Sequence, residues 1–87
     1  MSGRLSGKTA LVTGSASGFG AGIARTFAKE GARVLVADIN HDGAQSIAEQ
    51  INGIAAQADV TLSDDWTALK TLVAQHWGHL DILVNNA

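Results

Sequence analysis

The chain of 87 residues contains no cysteine and no tyrosine. Without cysteine it can form no disulfide bond, no thiolate metal site and no cysteine nucleophile. It also has no run of basic residues and a formal net charge of −2, which argues against nucleic acid or an anionic membrane surface as a partner. No apolar run is long enough to cross a bilayer, and residues 1–8 lack the apolar segment of a secretory signal. We therefore expect a soluble, cytoplasmic protein.

Short apolar runs alternate with amphipathic segments along the chain. Hydrophobic residues make up 46% of the sequence, which is enough for the core of one small domain or of part of a larger one. The apolar runs are continuous, as is typical of strands that are covered on both faces in a parallel sheet. The four expected strands are residues 10–12, 34–37, 54–58 and 82–84.

Three helical patterns separate these strands. The first places Phe19, Ile23 and Phe27 at intervals of four residues and ends at Gly31. The third begins at Ser63, which we expect to be its N-cap, and ends at Gly78. The residues expected to form the buried stripes of the second and third helices are Ala44, Ile47, Ala48 and Ile51, and Trp66, Leu69, Val73 and Trp77.

The order of these elements predicts the fold class. Consecutive parallel strands are joined by right-handed crossovers, which place helices on both faces of the sheet. The expected fold is therefore α/β, a doubly wound parallel sheet of the Rossmann-like kind. The expected element order is β-α-β-α-β-α-β.

A glycine-rich loop, residues 13–20, joins the first strand to the first helix. The first N–H groups of that helix have no partner within the helix, and together with the helix dipole they favour an anion. Side chains at Gly14, Gly18 and Gly20 would obstruct the turn, the approach of a pyrophosphate, or the packing of helix on strand. We expect the loop to bind a nucleotide phosphate, and the alternative is that its glycines only form a strand-to-helix turn.

Asp38 ends the second strand at the same edge of the sheet, and Ile39 follows it. A carboxylate there can accept hydrogen bonds from both hydroxyls of an adenosine ribose. It would also repel a 2′-phosphate, because like charges about 4 Å apart repel by roughly 1–4 kcal/mol between water and a partly desolvated site. No Arg or Lys follows Asp38 in the loop, so we expect NAD to be preferred over NADP. The alternative is a solvated acid at a strand end.

Polar residues also follow the third and fourth strands at this edge. Asp59 can pair with the adenine amino group while Val60 packs on the ring, or it can be an acid at the entry of the third helix. The amides of Asn85 and Asn86 can touch the ribose, or they can bond only to neighbouring backbone. The residues alone leave both pairs of alternatives open.

At these positions the chain resembles the short-chain dehydrogenase/reductase family. Thr13-Gly14-x-x-x-Gly18-x-Gly20 matches the family's glycine motif, and Asn85-Asn86-Ala87 matches the start of its Asn-Asn-Ala-Gly motif. Asp38 matches its NAD-selecting acid, and Asp59-Val60 matches its adenine-site pair. The resemblance covers nearly all of the chain and implies a partial sheet with strand order 3-2-1-4. It also implies transfer of a hydride between a nicotinamide cofactor and an alcohol or carbonyl substrate. The candidate cofactor contacts are Gly14, Ser17, Gly18, Phe19, Gly20, Asp38, Ile39, Asp59, Val60, Asn85, Asn86 and Ala87.

The resemblance places the family's catalytic serine, tyrosine and lysine downstream of Ala87. No tyrosine is present here, and Ser15, Ser17 and Ser63 lie in the glycine-rich loop or at a helix start. We therefore assign no catalytic residue to this chain. Residues 1–87 are expected to be the N-terminal part of a single dinucleotide-binding domain that lacks the catalytic half. The complete enzyme is expected to be a homo-oligomer that acts on a small molecule.

Two other functions stay open on the residues alone. One is a non-catalytic nucleotide-binding module that is complete at this length. The other is a methyltransferase-type domain, which also has acids after its second and third strands, although the glycine spacing argues against it. We expect no metal site, because Gly78 interrupts the helix between His76 and His79 and no third ligand is near in the sequence.

Overall fold

The computed structural model describes residues 3–86 and has the predicted element order. The strands form one sheet in the order β3-β2-β1-β4, and every neighbouring pair is parallel, so the predicted fold class is confirmed. Ala87 lies outside the described residues, and its expected cofactor contact stays a prediction. The elements are β1 (Thr9–Thr13), α1 (Gly18–Lys29), β2 (Arg33–Asp38), α2 (His41–Ile51), β3 (Ile54–Gln57), α3 (Ser63–His76) and β4 (Ile82–Val84).

The two faces of the sheet carry two separate apolar clusters. Alternate residues of a strand point to opposite faces, so Val12 and Val36 belong to one cluster while Leu11 and Leu35 belong to the other. The first cluster contains buried residues of α1 and α2, and the second contains buried residues of α3. The sheet is therefore the middle of three layers. The helix residues buried in the two clusters are Ala21, Ala24, Ala44, Ile47 and Ala48, and Leu69 and Val73.

Only the two central strands are covered on both faces, which corrects the expectation for all four. All five residues of β1 are buried, as are Val34 to Ala37 of β2. In contrast, Leu83 of β4 is 51% exposed. The reason is topological, because β3 and β4 are the edge strands and α3 packs on β1, β2 and β3 rather than on β4.

The helices use smaller contact residues than the sequence pattern predicted. The residues of α1 that are buried against the sheet are Gly20, Ala21 and Ala24, whereas Phe19 is 87% exposed. Small residues let the helix approach the strands closely, so the row of larger side chains lies along its flank. In α3 the two tryptophans of the expected buried stripe, Trp66 and Trp77, are only partly buried.

The helix ends agree with the sequence except at one cap. Gly31 and Gly78 have positive φ angles of 96° and 79° just after α1 and α3, as expected of glycines that end helices. Ser63 is the first residue of α3 and its N-cap is Leu62, so the predicted serine cap is wrong. Asn40 caps α2 instead, with its side chain accepting a bond from the Gly43 N–H. No helix within residues 3–86 has both the length and the apolar character needed to span a membrane.

Candidate dinucleotide site

A groove opens at the carboxyl edge of the sheet, where the strand ends meet. We call it the strand-end groove; it has a volume of about 360 Å³. The residues that line it are Gly14, Asp38, Ile39, Ala58, Asp59, Val60, Thr61 and Asn86. Six of these were expected to contact a cofactor, and the parallel sheet brings them together because every strand ends at this edge.

The remaining candidates lie around the start of α1 or beside the groove. Ser17 is the N-cap of α1, and it is exposed together with Gly18 and Phe19. Gly20, the third residue of α1, is buried. Asn85 follows β4 and lies next to Thr13 of β1.

Two different physical requirements explain the glycines of the glycine-rich loop: a positive φ angle and a close backbone contact. Gly14 and Gly18 have positive φ angles of 62° and 61°, a conformation that side chains disfavour. A Cβ at Gly20 would overlap the Gly14 carbonyl and would lie 2.8 Å from Nδ2 of Asn86. The loop is therefore folded tightly against the ends of β1 and β4, and α1 starts close to both.

The amino end of α1 has the electrostatics of an anion site. The N–H groups of its first three residues have no partner within the helix, and Ser17 makes no side-chain cap. Its first turn contains no acidic residue, whereas Asp42 lies in the first turn of α2 and Asp64 and Asp65 in that of α3. No carboxylate on α1 itself thus competes with an incoming anion for the positive end of its dipole.

Ser15 anchors the loop, a role that the sequence analysis missed. It is fully buried, and its hydroxyl is 2.7 Å from the Val12 carbonyl and 3.2 Å from the Ala37 carbonyl. Its N–H donates to the same Ala37 carbonyl at 3.3 Å. Ser15 thereby joins the ends of β1 and β2 below the loop. A small hydroxyl residue in a glycine segment was the only signal, and it does not identify these partners.

Asp38 is more than a solvated acid at a strand end. Its Oδ2 accepts a bond from the Ala16 N–H at 3.0 Å, and its Oδ1 accepts one from the Asn40 N–H at 2.9 Å. The carboxylate therefore holds the glycine-rich loop against the end of β2. Each carboxylate oxygen has two lone pairs, so both can still accept a bond from a ligand hydroxyl.

Asp59 forms a tight turn before α3. Its Oδ1 accepts bonds from the Thr61 hydroxyl at 2.6 Å and from the Thr61 N–H at 2.9 Å. These two bonds, the hydroxyl first, hold the pKa of the Asp59 carboxyl below its ordinary value. The N-cap of α3 is Leu62, so this turn lies at the entry of that helix, where the alternative placed Asp59.

The asparagines after β4 bond to the last residue of β1 and to the residue that follows it. The Asn86 N–H donates to Oγ1 of Thr13 at 3.0 Å, and its side-chain amide donates to the Gly14 carbonyl at 3.3 Å. The Thr13 hydroxyl lies 3.2 Å from Oδ1 of Asn85. This is the structural role that the sequence analysis kept open, and for Asn86 it is combined with a position in the groove.

His76 and His79 lie away from this groove. His76 is the last residue of α3, and His79 pairs with Asp81 at 3.2 Å at the opposite edge of the sheet. Within residues 3–86, no group of three or more His, Cys, Asp or Glu side chains is placed to hold a metal ion.

A comparison with protein families decides where this chain belongs. The family model described as short chain dehydrogenase matches residues 8–87, nearly the whole chain. The chain belongs to the short-chain dehydrogenase family.

Individual relatives and solved structures that are similar to the chain carry different names. Sorbitol dehydrogenase from Cereibacter sphaeroides is 45% identical over 87 residues, which cover 97% of this chain and 34% of that protein. A crystal structure of 3-ketoacyl-(acyl-carrier-protein) reductase from Brucella melitensis complexed with NADH has a TM-score of 0.89 and 40% identity, and covers 92% of this chain. A further crystal structure, which is named ribose-5-phosphate isomerase from Brucella melitensis 16M, has a TM-score of 0.94 and 34% identity, and the match covers all of this chain.

These short-chain dehydrogenase relatives are much longer than the chain itself. The match covers 34% of each of the three proteins, so the chain spans about a third of their length. Because the likeness covers only that third, and one fold hosts many reactions, it does not transfer a substrate to this chain.

Proposed function

We propose that this chain is the NAD(H)-binding part of an oxidoreductase that moves a hydride between nicotinamide and an alcohol or carbonyl substrate. The observation that carries the proposal is the strand-end groove, which places Asp38 and Asp59 beside Gly14 of the glycine-rich loop. The reductase with which the chain shares 40% identity is in complex with NADH, which supports a nicotinamide dinucleotide as the ligand.

The residues fit such a cofactor at the start of α1 and at the ends of the strands. The unpartnered N–H groups at the start of α1, around Ser17, Gly18, Phe19 and Gly20, bind the pyrophosphate. Asp38 accepts bonds from the adenosine ribose, and Ile39 lies beside it in the groove. When bound, the nicotinamide ring supplies or accepts the hydride.

The adenine end of the cofactor contacts the groove at two further strand ends. Asp59 accepts a bond from the adenine amino group, and Val60 packs on the ring. Asn85 and Asn86, with Ala87 after them, approach the ribose from the end of β4.

NAD is preferred over NADP in this proposal. The Asp38 carboxylate already accepts two backbone N–H bonds, so a 2′-phosphate would be placed against a fixed negative charge. His41 and Asp42 come after Asn40 at the start of α2, and neither is the arginine or lysine that would neutralise the phosphate.

The chain holds the cofactor, and the remaining chemistry lies elsewhere. Residues 1–87 are the N-terminal part of one dinucleotide-binding domain, and the catalytic serine, tyrosine and lysine belong to the part that follows. The complete protein acts on a small alcohol or carbonyl compound and is a homo-oligomer. Reading the gene beyond codon 87 tests this directly, because a Tyr-x-x-x-Lys sequence is expected there and its absence would favour a non-catalytic binding module.

A titration tests the ligand. NADH, NADPH and S-adenosylmethionine are added separately to the purified chain, and amide shifts of residues 14–20 are followed by NMR. NADH is expected to bind weakly, to shift these amides and to bind better than the other two, and the chain alone is expected to oxidise no alcohol. Equal affinity for NADH and NADPH would remove the specificity claim, and preference for S-adenosylmethionine would replace the dinucleotide by a methyl donor.

A further inference from the structure

We propose that Asp65 and Trp66, in the first turn of α3, are positioning residues that hold the Asp59–Val60 segment in the conformation that recognises adenine. The inference rests on the proposed function, because it concerns the adenine end of the same groove. Neither residue lines the strand-end groove, so both would act through the segment that they hold.

Two short hydrogen bonds connect α3 to this segment. Oδ2 of Asp65 accepts a bond from the Asp59 N–H at 2.7 Å, and Nε1 of Trp66 donates to the Val60 carbonyl at 2.7 Å. One bond holds a backbone donor at the start of the segment, and the other holds a backbone acceptor at its end. Rotating the segment out of place would break both bonds.

The Asp59–Val60 segment is part of a turn, residues 59–62, that is closed by its own hydrogen bonds. The Leu62 N–H donates to the Asp59 carbonyl at 3.0 Å, and Thr61 holds Oδ1 of Asp59 through its N–H and its hydroxyl. These internal bonds set the shape of the turn but do not attach it to the rest of the molecule. The side chains of Asp65 and Trp66 attach this turn to α3.

One oxygen of Asp59 stays available in this arrangement. The bonds that the Asp59 carboxylate accepts within residues 3–86 use Oδ1, so Oδ2 can accept a bond from a ligand amino group. Asp59 also lines the strand-end groove. A shift of the turn would move Oδ2 relative to the glycine-rich loop, and a dinucleotide that reaches both would lose its bond to the acid first.

Asp65 serves this purpose through an oxygen acceptor rather than through its charge. Its negative charge lies near that of Asp59, which is unfavourable by itself. The bond to the Asp59 N–H offsets that cost because a carboxylate is a strong acceptor. An amide at position 65 keeps an oxygen acceptor without the charge, so Asp65→Asn is the conservative variant.

The test measures selectivity for adenine in the 87-residue chain. NADH is compared with its analogue in which hypoxanthine replaces adenine, so that a carbonyl stands where the amino group was. NMR titration gives the two dissociation constants, and their ratio measures recognition of the amino group. A change in overall stability alone would alter both constants together and leave this ratio unchanged.

We expect the unsubstituted chain to prefer NADH and the variants Asp65→Ala and Trp66→Phe to lose most of that preference. The expected loss is about three- to tenfold in the ratio, the size of one hydrogen bond. Asp65→Asn should retain the preference. Asp64→Ala removes the neighbouring first-turn acid, and Trp77→Phe removes the indole at the other end of α3. Both variants should behave like the unsubstituted chain.

The outcomes separate the two proposals. If the chain prefers NADH over the analogue but Asp65→Ala and Trp66→Phe keep the same ratio, the positioning role is overturned and the proposed function stands. If NADH does not bind at all, both the proposed function and this inference are overturned. If Asp65→Ala does not fold, Trp66→Phe decides, because phenylalanine keeps an aromatic ring in the partly buried position and removes the N–H donor. Trp77→Phe makes the same change of ring size without that donor.

Discussion

At both the amino and the carboxyl edge of the sheet, a threonine hydroxyl of β1 accepts a backbone N–H bond from a residue next to β4. At the amino edge, Oγ1 of Thr9 in β1 accepts a bond from the Asp81 N–H at 3.1 Å, just before β4 begins. At the carboxyl edge, Oγ1 of Thr13 accepts a bond from the Asn86 N–H at 3.0 Å, just after β4 ends. Each threonine is buried and joins β1 to the edge strand.

The edges differ in what surrounds that contact. Asp81 is occupied by protein groups, since its Oδ2 accepts from the Thr9 N–H at 2.9 Å and lies 3.2 Å from Nε2 of His79. At the carboxyl edge, Asn86 lines the strand-end groove and α1 begins with unpartnered N–H groups. Helices in a parallel sheet start at the carboxyl edge and end at the amino edge, so only the former presents positive dipole ends to a ligand.

The largest expected effect comes from filling the close contact at Gly20. Gly20→Ala places a methyl group against the Gly14 carbonyl and Asn86, which is expected to destabilise the fold by about 1–3 kcal/mol and to abolish NADH binding. Gly22→Ala in the same helix is the matched control, because a Cβ there meets nothing within 4 Å. It is expected to stabilise by up to about 1 kcal/mol. Urea unfolding measures both, and equal effects at the two positions would contradict the close packing of the loop.

Removing the threonine hydroxyls compares the two edges directly. Thr9→Val removes the hydroxyl bond to the His79 carbonyl, and Thr13→Val removes the hydroxyl bond to the Val84 carbonyl together with the acceptor of the Asn86 N–H. Each loss is expected to cost about 1 kcal/mol in unfolding free energy. Only Thr13→Val should also weaken NADH binding, by several-fold, because Asn86 lies in the groove. Loss of NADH affinity in Thr9→Val as large as that in Thr13→Val would remove the distinction between the edges.

A substitution of Asp38 tests selectivity at the carboxyl edge. In Asp38→Asn one carboxylate oxygen becomes an N–H₂ group, so only one of the Ala16 and Asn40 N–H bonds can be kept. We expect a loss of NADH affinity of about tenfold, the size of one charge-assisted bond. We also expect a smaller preference over NADPH, because the repulsive charge is gone. Titrations with both cofactors measure this, and an unchanged preference would show that Asp38 does not select between them.

The smallest expected effect is on the acid stability of the amino edge. The Thr9 N–H, and after it the charge of His79 and the Thr9 hydroxyl, lower the pKa of Asp81 in the folded chain. A lowered pKa stabilises the fold above the unfolded value, about 4 for an aspartate, and this stability is lost as the pH falls through the folded pKa. Asp81→Asn should therefore show a shallower loss of stability below about pH 4. Urea midpoints between about pH 3 and pH 6 measure this slope, and an unchanged slope would contradict the assignment.

Much of the fold was predictable because its signals are local. The glycine-rich loop, the helix-ending glycines and the continuous apolar strands each depend on a few consecutive residues. The exposure of Phe19 was not predictable in this way, since the residues that meet the sheet are the small ones beside it in the helix. The exposure of Leu83 depends on which strands lie at the edges.

The residues of the candidate site were easier to predict from the sequence than the hydrogen bonds between them. The glycine spacing and the acids at the strand ends indicated Gly14, Asp38 and Asp59 without any coordinates. Nothing in the sequence near Asp65 indicates that its carboxylate reaches the Asp59 N–H rather than solvent. Side-chain direction at a helix start depends on how that helix packs on the sheet, and a sequence pattern does not contain that information.

By itself the sequence determined the alternation of strands and helices, the tight turn after β1 and the identity of the acids at the strand ends, because backbone preferences and apolar periodicity act over a few residues. Only the tertiary structure decided that Thr9 meets Asp81, 72 residues away, and that Asp38 holds the loop at Ala16. Those contacts require β1 to lie between β2 and β4 in one particular register. Register is a property of the whole sheet, since it depends on how helices and strands pack together, and no single segment specifies it.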